Sequence, residues 1–146
     1  MWTENKLNEL LTTYELTDEK GNKVTNEFVG GLLGHWTLWS QNVVQMFDML
    51  MKAKKESKID TSLLALAAQV TDANAAFFDP AHNFAGCIPG VHEVLRRQGL
   101  MRGTWCLNQD EKLSEGQADE ISRVYREYPH LNDDNFVKEN IKKWTK

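Results

Sequence analysis

The chain has 146 residues, of which 41% are hydrophobic and 26% are charged, as in an ordinary globular domain with a substantial core. Its formal net charge of −4, with acidic and basic residues interspersed, excludes the basic footprint of a nucleic-acid-binding protein. The sequence shows neither a signal-peptide pattern nor an apolar stretch long enough to span a bilayer, so we expect a soluble, cytoplasmic protein without membrane contact.

A helix, a turn and one strand are predicted in the first 39 residues. Residues 3–16 carry leucines at helical spacing, and the polar stretch at 17–27, with Gly21-Asn22 at its centre, predicts a turn or the tip of a short hairpin. Residues 28–39 are apolar on both alternating faces, which predicts a strand buried on both sides in a parallel sheet. The glycines in this stretch are expected where another backbone or a ligand approaches closely.

Two amphipathic helices are predicted next. Ser40 can cap the first of them through its hydroxyl. Asp60 or Thr61 caps the second, which ends at Asp79-Pro80 because a residue before proline avoids the α region. The apolar residues between these points follow a helical period.

The local signals agree best in residues 77–100, FFDPAHNFAGCIPGVHEVLRRQGL. Pro89 has no N–H to lose and a φ suited to a first helical turn, so it opens a short helix. Gly99 takes the left-handed position after that helix, which brings Leu100 against Leu95 in a Schellman ending. Two arginines occupy the last turn, where the carbonyl end of a helix favours cations.

Two further helices are predicted towards the C-terminus. Ser114 and Gln117 form a capping-box pattern at the start of the first, and Pro129 stops it. Asn132 or Asp133 starts the second. Its inward residues are predicted to be Phe136, Val137, Ile141 and Trp144.

Residues 77–128 carry a resemblance to a known family. An aromatic-rich helix end, a loop with small residues and proline, and a helix ending in Gly-Leu are followed by a polar turn and another helix in LNQDEKLSEGQADEISRVYREY. In this order and texture the chain resembles the C-terminal helical region of the dihydrodipicolinate synthase / N-acetylneuraminate lyase family, the class I pyruvate-dependent aldolases. The likeness covers roughly residues 28–128.

The resemblance implies a fold class that is mostly α with one or two β-strands, a C-terminal fragment of a (β/α)8 TIM barrel plus its C-terminal helical region. Residues 1–58 are then the last βα portion of an incomplete barrel, and residues 59–146 the C-terminal helical region. A complete barrel takes about 250 residues, so we expect the earlier strands to lie outside this sequence. The expected partners are a missing N-terminal half or further copies in a homo-oligomer.

The family's reaction, as the resemblance implies it, is Schiff-base aldol addition or cleavage on pyruvate or another 2-oxo acid, without metal or organic cofactor. It needs a lysine whose pKa is lowered by burial among apolar side chains, so that the neutral amine attacks. The lysines at 20, 23, 52–58, 142, 143 and 146 all have a polar or helix-end context. We therefore expect no catalytic residue in this chain and no activity of the chain alone.

The pocket candidates come from the predicted strand, whose C-terminal end faces the active site in such barrels. They are His35, Trp36, Thr37 and Trp39, which would contribute to the rim or wall of the substrate pocket. The alternative is that the tryptophans pack in the core and that His35 bonds a backbone carbonyl. This alternative is favoured because a buried aromatic residue is more often core than ligand contact.

Three other interpretations are weaker. Asp79, His82, Cys87 and His92 carry metal-binding donors but lack the paired spacing of zinc sites, so no metal is expected. A Cys87–His92 nucleophile pair has no orienting third group, and a small buried thiol is favoured. A competing function class remains open, in which the chain is a self-contained helical binding or oligomerisation module without catalysis.

Overall fold

The computed structural model describes residues 6–32 and 34–145, which form six α-helices and one antiparallel β-hairpin. In chain order these are α1 (Lys6–Leu11), β1 (Thr13–Thr17), β2 (Lys23–Glu27), α2 (Ser40–Lys55), α3 (Ser62–Phe78), α4 (Cys87–Arg97), α5 (Gln117–Glu127) and α6 (Asp134–Trp144). The prediction of a mostly helical chain with one or two strands is therefore confirmed.

The first helix is shorter than predicted, because its second half belongs to the hairpin. Residues 3–5 of the predicted helix lie outside the described residues, and α1 ends at Leu11. Thr12 and Thr13 are β-branched and disfavour a helix, and Tyr14 instead pairs with Asn26 in the antiparallel ladder. The predicted turn is confirmed: Gly21 has a φ of 82° at the hairpin tip.

The prediction of a buried strand at residues 28–39 is wrong. Residues 28–32 have no regular structure, Gly34–Thr37 forms a 3₁₀ turn, and residue 33 lies outside the described residues. Gly34 has a φ of 63° and Trp39 a φ of 54°, and neither value fits a strand. The physical reason is that a lone strand leaves its backbone groups without partners, whereas a tight turn satisfies some of them locally.

One continuous core joins both portions of the predicted domain division. Buried side chains of α1 and α2 share it with those of α3, α4 and α5, from Leu7 to Leu131. Trp39 lies at its centre, with its ring centroid 4.9 Å from that of Phe77 and 5.2 Å from that of Tyr125. The boundary between residues 58 and 59 stays a prediction, since no gap in the packing marks it.

The predicted Schellman ending of α4 is confirmed. The N–H of Leu100 donates to Leu95 O at 2.9 Å and that of Gly99 to Arg96 O at 3.0 Å, with Gly99 at a φ of 77°. The helix begins at Cys87, two residues before Pro89, because a proline within the first turn removes no intrahelical hydrogen bond.

Other helix ends differ from the predictions in their caps. Trp39, not Ser40, is the N-cap residue of α2, and the Trp39 side chain makes no capping hydrogen bond to that helix. Among the four inward residues predicted for α6, only Val137 is buried. Phe136 and Trp144 are exposed, with their ring centroids 5.7 Å apart. Within the described residues, no helix has both the length and the apolar character needed to cross a membrane.

Candidate functional site

A buried polar cluster is built around Asp79, at the end of α3. Asp79 has a φ of 56°, a left-handed conformation that aspartate tolerates better than most residues. The following Pro80 disfavours the α conformation at Asp79 and so ends the helix at Phe78, as the sequence predicts. The side chain is only 4% exposed, so the turn carries its carboxylate into the protein.

Three donors surround the Asp79 carboxylate. The Ser114 hydroxyl donates to Oδ2 at 2.5 Å, and the backbone N–H of Gly86 donates to the same oxygen at 2.9 Å. The His82 ring contacts Oδ1 through Nδ1 at 2.6 Å. The cluster therefore joins the end of α3, the start of α4 and the loop before α5.

These contacts decide the charge state of Asp79. Burial by itself raises the pKa of the carboxyl, but the hydrogen bonds from Ser114, His82 and Gly86 outweigh it and hold the pKa below its usual range. The group is therefore a carboxylate at neutral pH. Its negative charge acts in turn on the Cys87 thiol, whose pKa is raised by burial and by Asp79.

Gln117 extends the cluster into a buried network. Its Nε2 lies 3.2 Å from Ala76 O, 3.4 Å from Phe77 O and 3.0 Å from Gly86 O, while its Oε1 accepts the N–H of Ser114 at 3.0 Å. That last bond is one half of the predicted capping box; the Ser114 hydroxyl goes to Asp79 instead of to the helix. The amide thus satisfies the carbonyls left free at the end of α3.

This geometry is that of a structural hydrogen-bond network, not of an activated serine nucleophile. The Ser114 hydroxyl donates a hydrogen bond to one carboxylate oxygen of Asp79. His82 contacts the other oxygen and makes no hydrogen bond to Ser114. An activated serine needs the base on its own hydroxyl. The cluster fixes the loop that connects α3 to α4.

The structure pairs His92 with Cys106, not with Cys87. The distance from His92 Nδ1 to Cys106 Sγ is 3.8 Å, and both cysteines are free. The pKa of the Cys106 thiol is raised by desolvation and by the nearby Glu111. Both thiols are therefore protonated at neutral pH, the opposite of the activation that a nucleophilic cysteine requires.

The four residues considered as metal ligands are divided between two places. Asp79 and His82 are in contact just after α3, whereas His92, on α4, lies beside Cys106. Within residues 6–32 and 34–145, no three His, Cys, Asp or Glu side chains form a group able to hold a metal ion.

The four pocket candidates lie close together but make different contacts. His35 is 3% exposed and its Nδ1 lies 3.2 Å from Asn74 Oδ1, so His35 bonds a side chain of α3. Trp39 is buried in the core, Trp36 packs edge-on against Phe47, and the Thr37 hydroxyl donates to Gly34 O at 2.7 Å. Their role in a substrate pocket stays a prediction.

An open hollow of about 280 Å³ lies elsewhere, between the end of α2 and the start of α3. Its lining has both signs of charge, from Lys52, Glu56, Lys58 and Asp60. None of the residues singled out from the sequence as a pocket residue or metal ligand contributes to it. Such a shallow, mixed surface is typical of a helix–helix junction and lacks the enclosed apolar walls of a small-molecule site.

Every lysine whose side chain the structure describes is exposed or partly exposed. Of the lysines that form ion pairs, Lys54 has the least exposed side chain, and its Nζ lies 3.1 Å from Glu27 Oε2. A Schiff-base lysine needs an apolar setting, whereas this lysine lies against a carboxylate.

Comparison with known proteins adds no relative. No family model, no curated protein and no solved structure matches this chain. The assignment to a family therefore depends on the residues of 77–128 and is a proposal.

Proposed function

We propose that this chain is the C-terminal helical region of a dihydrodipicolinate synthase-like lyase and that it acts by contact with the rest of that enzyme, in the cytoplasm. In this proposal the chain has no catalysis of its own, and the Schiff-base chemistry on pyruvate or another 2-oxo acid belongs to a barrel that it covers. The observation that carries the proposal is an apolar surface on the segment that resembles the family.

That surface, the α4 surface, consists of Phe84, Ile88, Trp105 and Leu107, all of them exposed. Ile88 and His92 lie one turn apart on α4. Because His92 contacts the Cys106 thiol, the neighbours of Cys106 in the chain, Trp105 and Leu107, lie on the same side of α4 as Ile88. Trp105 is 66% exposed. Large apolar side chains exposed on one part of the chain indicate a contact with another protein surface.

The Asp79 network supports the same role. It fixes the loop from Asp79 to Gly86 against α5 through Ser114 and Gln117. The α4 surface therefore has a rigid base, which reduces the entropy lost when it docks. The lysines support the second part of the proposal, because no lysine whose side chain the structure describes is buried.

Two measurements test the proposal. Borohydride reduction in the presence of pyruvate should leave no covalent adduct on this chain, since only a reactive amine is trapped. A family lyase from which the corresponding C-terminal helices have been deleted should regain activity when this chain is added. Trp105→Ala/Leu107→Ala should prevent that recovery.

The matched control is Val44→Ala/Leu64→Ala, which removes two exposed apolar side chains from α2 and α3, outside the α4 surface. It should leave the recovery unchanged. A pyruvate adduct on the chain alone contradicts the absence of catalysis, and failure of the wild-type chain to restore any deleted lyase contradicts the family assignment.

The second candidate is a self-contained helical binding or oligomerisation module. It is favoured by the loss of the predicted strand at residues 28–39 and by the single core shared by α1 to α5. This candidate predicts cooperative unfolding of the isolated chain together with no recovery of lyase activity.

A further inference from the structure

The hairpin has one apolar and one polar face. The ladder pairs Tyr14 with Asn26 and Leu16 with Val24, and directly opposed residues project to the same side of a sheet. Phe28 continues the alternation beyond β2, and its ring centroid lies 5.7 Å from that of Tyr14. We call these five residues the hairpin face.

The opposite side is wholly polar. It carries Thr13, Glu15, Thr17, Lys23, Thr25 and Glu27. Glu27 forms an ion pair with Lys54 of α2 at 3.1 Å, so at this end the polar side is turned towards the helices. The hairpin face is consequently on the side away from that contact.

The hairpin face is open to solvent. Leu16 is 48% exposed, Val24 42% and Phe28 49%, and the chain directly after it adds the exposed Val29 and Leu32. A two-stranded hairpin is marginally stable in water unless further strands or a packed surface support it. Within the described residues the hairpin receives no such support from another strand.

We propose that the hairpin face is a dimer interface, on which the hairpin face of a second copy of this chain packs about a two-fold axis. The argument is self-complementarity. The face carries no charge, so identical copies meet without repulsion, and a partner of opposite charge has nothing to recognise there.

Asn26 supports a copy of the same chain over an unrelated apolar partner. It lies between Val24 and Phe28, at the middle of the face; its Oδ1 accepts the backbone N–H of Glu27 at 2.8 Å and has a second lone pair, and its Nδ2 has two donors. Two such amides related by a two-fold axis satisfy each other, as polar residues do in the core of paired helices. An apolar partner desolvates the two Nδ2 donors without offering them an acceptor, which is unfavourable.

The area is sufficient for a weak dimer. The exposed parts of Leu16, Val24 and Phe28, together with those of Val29 and Leu32 in the segment that follows the hairpin face, amount to on the order of 500 Å² per copy. A symmetric contact that includes this segment buries about 1,000 Å², the lower limit of specific interfaces. The proposal does not depend on the lyase assignment, because the hairpin shares no residue with the α4 surface.

Sedimentation equilibrium of the full chain, from low micromolar to several hundred micromolar, is the first test. The wild type should form dimers, and Leu16→Thr/Val24→Thr should weaken dimerisation at least ~10-fold while keeping β-forming residues in both strands. The matched control, Glu15→Thr/Lys23→Thr, places the same residue at two positions of the polar side without changing the net charge. It should dimerise like the wild type.

Oxidative cross-linking is the second test and does not rely on a weakened variant. In a Cys87→Ser/Cys106→Ser background, Asn26→Cys should form an intermolecular disulfide, and Thr25→Cys, on the polar side, should not. A chain that stays monomeric at every concentration overturns the proposal, because the face then binds no second copy. Equal cross-linking at both positions, or dimers unaffected by Leu16→Thr/Val24→Thr, also overturns it.

Discussion

Asp133 caps α2, because its Oδ2 accepts the backbone N–H of Gln41, 92 residues earlier in the chain, at 3.0 Å. Gln41 is the second residue of α2, and Trp39, at the cap position, offers no oxygen for this purpose. The other oxygen of Asp133 accepts Gln98 Nε2 at 2.7 Å. One buried carboxylate thus joins the start of α2, the end of α4 and the start of α6.

Replacing this carboxylate should destabilise the whole fold. We expect Asp133→Ala to lower the free energy of unfolding by about 2 kcal/mol, because a cap and a buried hydrogen bond are lost together. Urea denaturation followed by circular dichroism measures the change. Asp110→Ala, in an exposed turn, is the control and should stay within about 0.5 kcal/mol of the wild type. Equal stability of the two variants contradicts the capping role.

Gly90 is required by the contact between α4 and α3. A Cβ at this position overlaps the carbonyl oxygen of Phe77, which is backbone and has little freedom to move. Helix propensity alone favours alanine over glycine by about 1 kcal/mol. We nevertheless expect Gly90→Ala to destabilise the protein by about 1–3 kcal/mol, the usual effect of overpacking.

The control for Gly90→Ala is Gly30→Ala, where nothing lies within 4 Å of the added Cβ. Thermal unfolding should show an unchanged midpoint for Gly30→Ala and a lower one for Gly90→Ala. A stabilised Gly90→Ala variant would mean that α4 moves away from α3 without loss, and that the close packing is not needed.

The local signals in the sequence predict the helices well but not their tertiary partners. The ending of α4 was predictable because Gly99 and Leu100 lie next to the helix that they close. The predicted strand at 28–39 failed because an apolar run with glycines has no period of its own, and Trp36 folds back over Gly31 instead. No pattern near Ser40 indicates that its helix is capped by Asp133.

The Asp79 cluster was predictable in part. Asp79 and His82 are three residues apart, and their proximity follows from the tight turn at Pro80. Ser114 and Asp79 are 35 positions apart in the chain, so no spacing rule predicts the hydrogen bond between them. The capping-box pattern predicts the bond between Gln117 and Ser114 but also assigns the Ser114 hydroxyl to the helix, which the buried carboxylate takes instead.

The Asp79 cluster should make stability depend on acid pH. The folded-state pKa of Asp79 lies below that of the unfolded chain, near 3.9. Its stabilising effect is therefore complete at pH values well above 3.9 and is lost as pH falls through the folded-state pKa. We expect Asp79→Asn to be destabilised by about 2 kcal/mol at neutral pH, because its donors lose a charged acceptor.

The difference between Asp79→Asn and the wild type should shrink as the pH is lowered towards 2, since the wild type then loses its carboxylate as well. Urea denaturation at a series of pH values measures it. Asparagine also tolerates the left-handed backbone, so the variant removes charge without adding strain. A difference that is constant over this pH range would mean that Asp79 is not ionised in the folded protein.

His35 should contribute a separate pH dependence, at higher pH than Asp79. Burial lowers its pKa to about 4, although the bond to Asn74 acts in the opposite direction. The unfolded chain binds a proton at this histidine below about pH 6.5, whereas the folded protein does so only near its own lower pKa. The free energy of unfolding should therefore fall as the pH is lowered from 6.5 to 4, by at most about 3 kcal/mol.

His35→Gln isolates this effect, because glutamine keeps a donor for Asn74 Oδ1 but does not titrate. The variant should lose the decrease between pH 6.5 and 4 and keep the one that Asp79 causes below it. Direct titration of the His35 ring by NMR should show a neutral imidazole at pH 5. If the ring is instead charged at pH 5 in the folded protein, it has solvent or a carboxylate beside it, and its place in the core next to Trp39 is refuted.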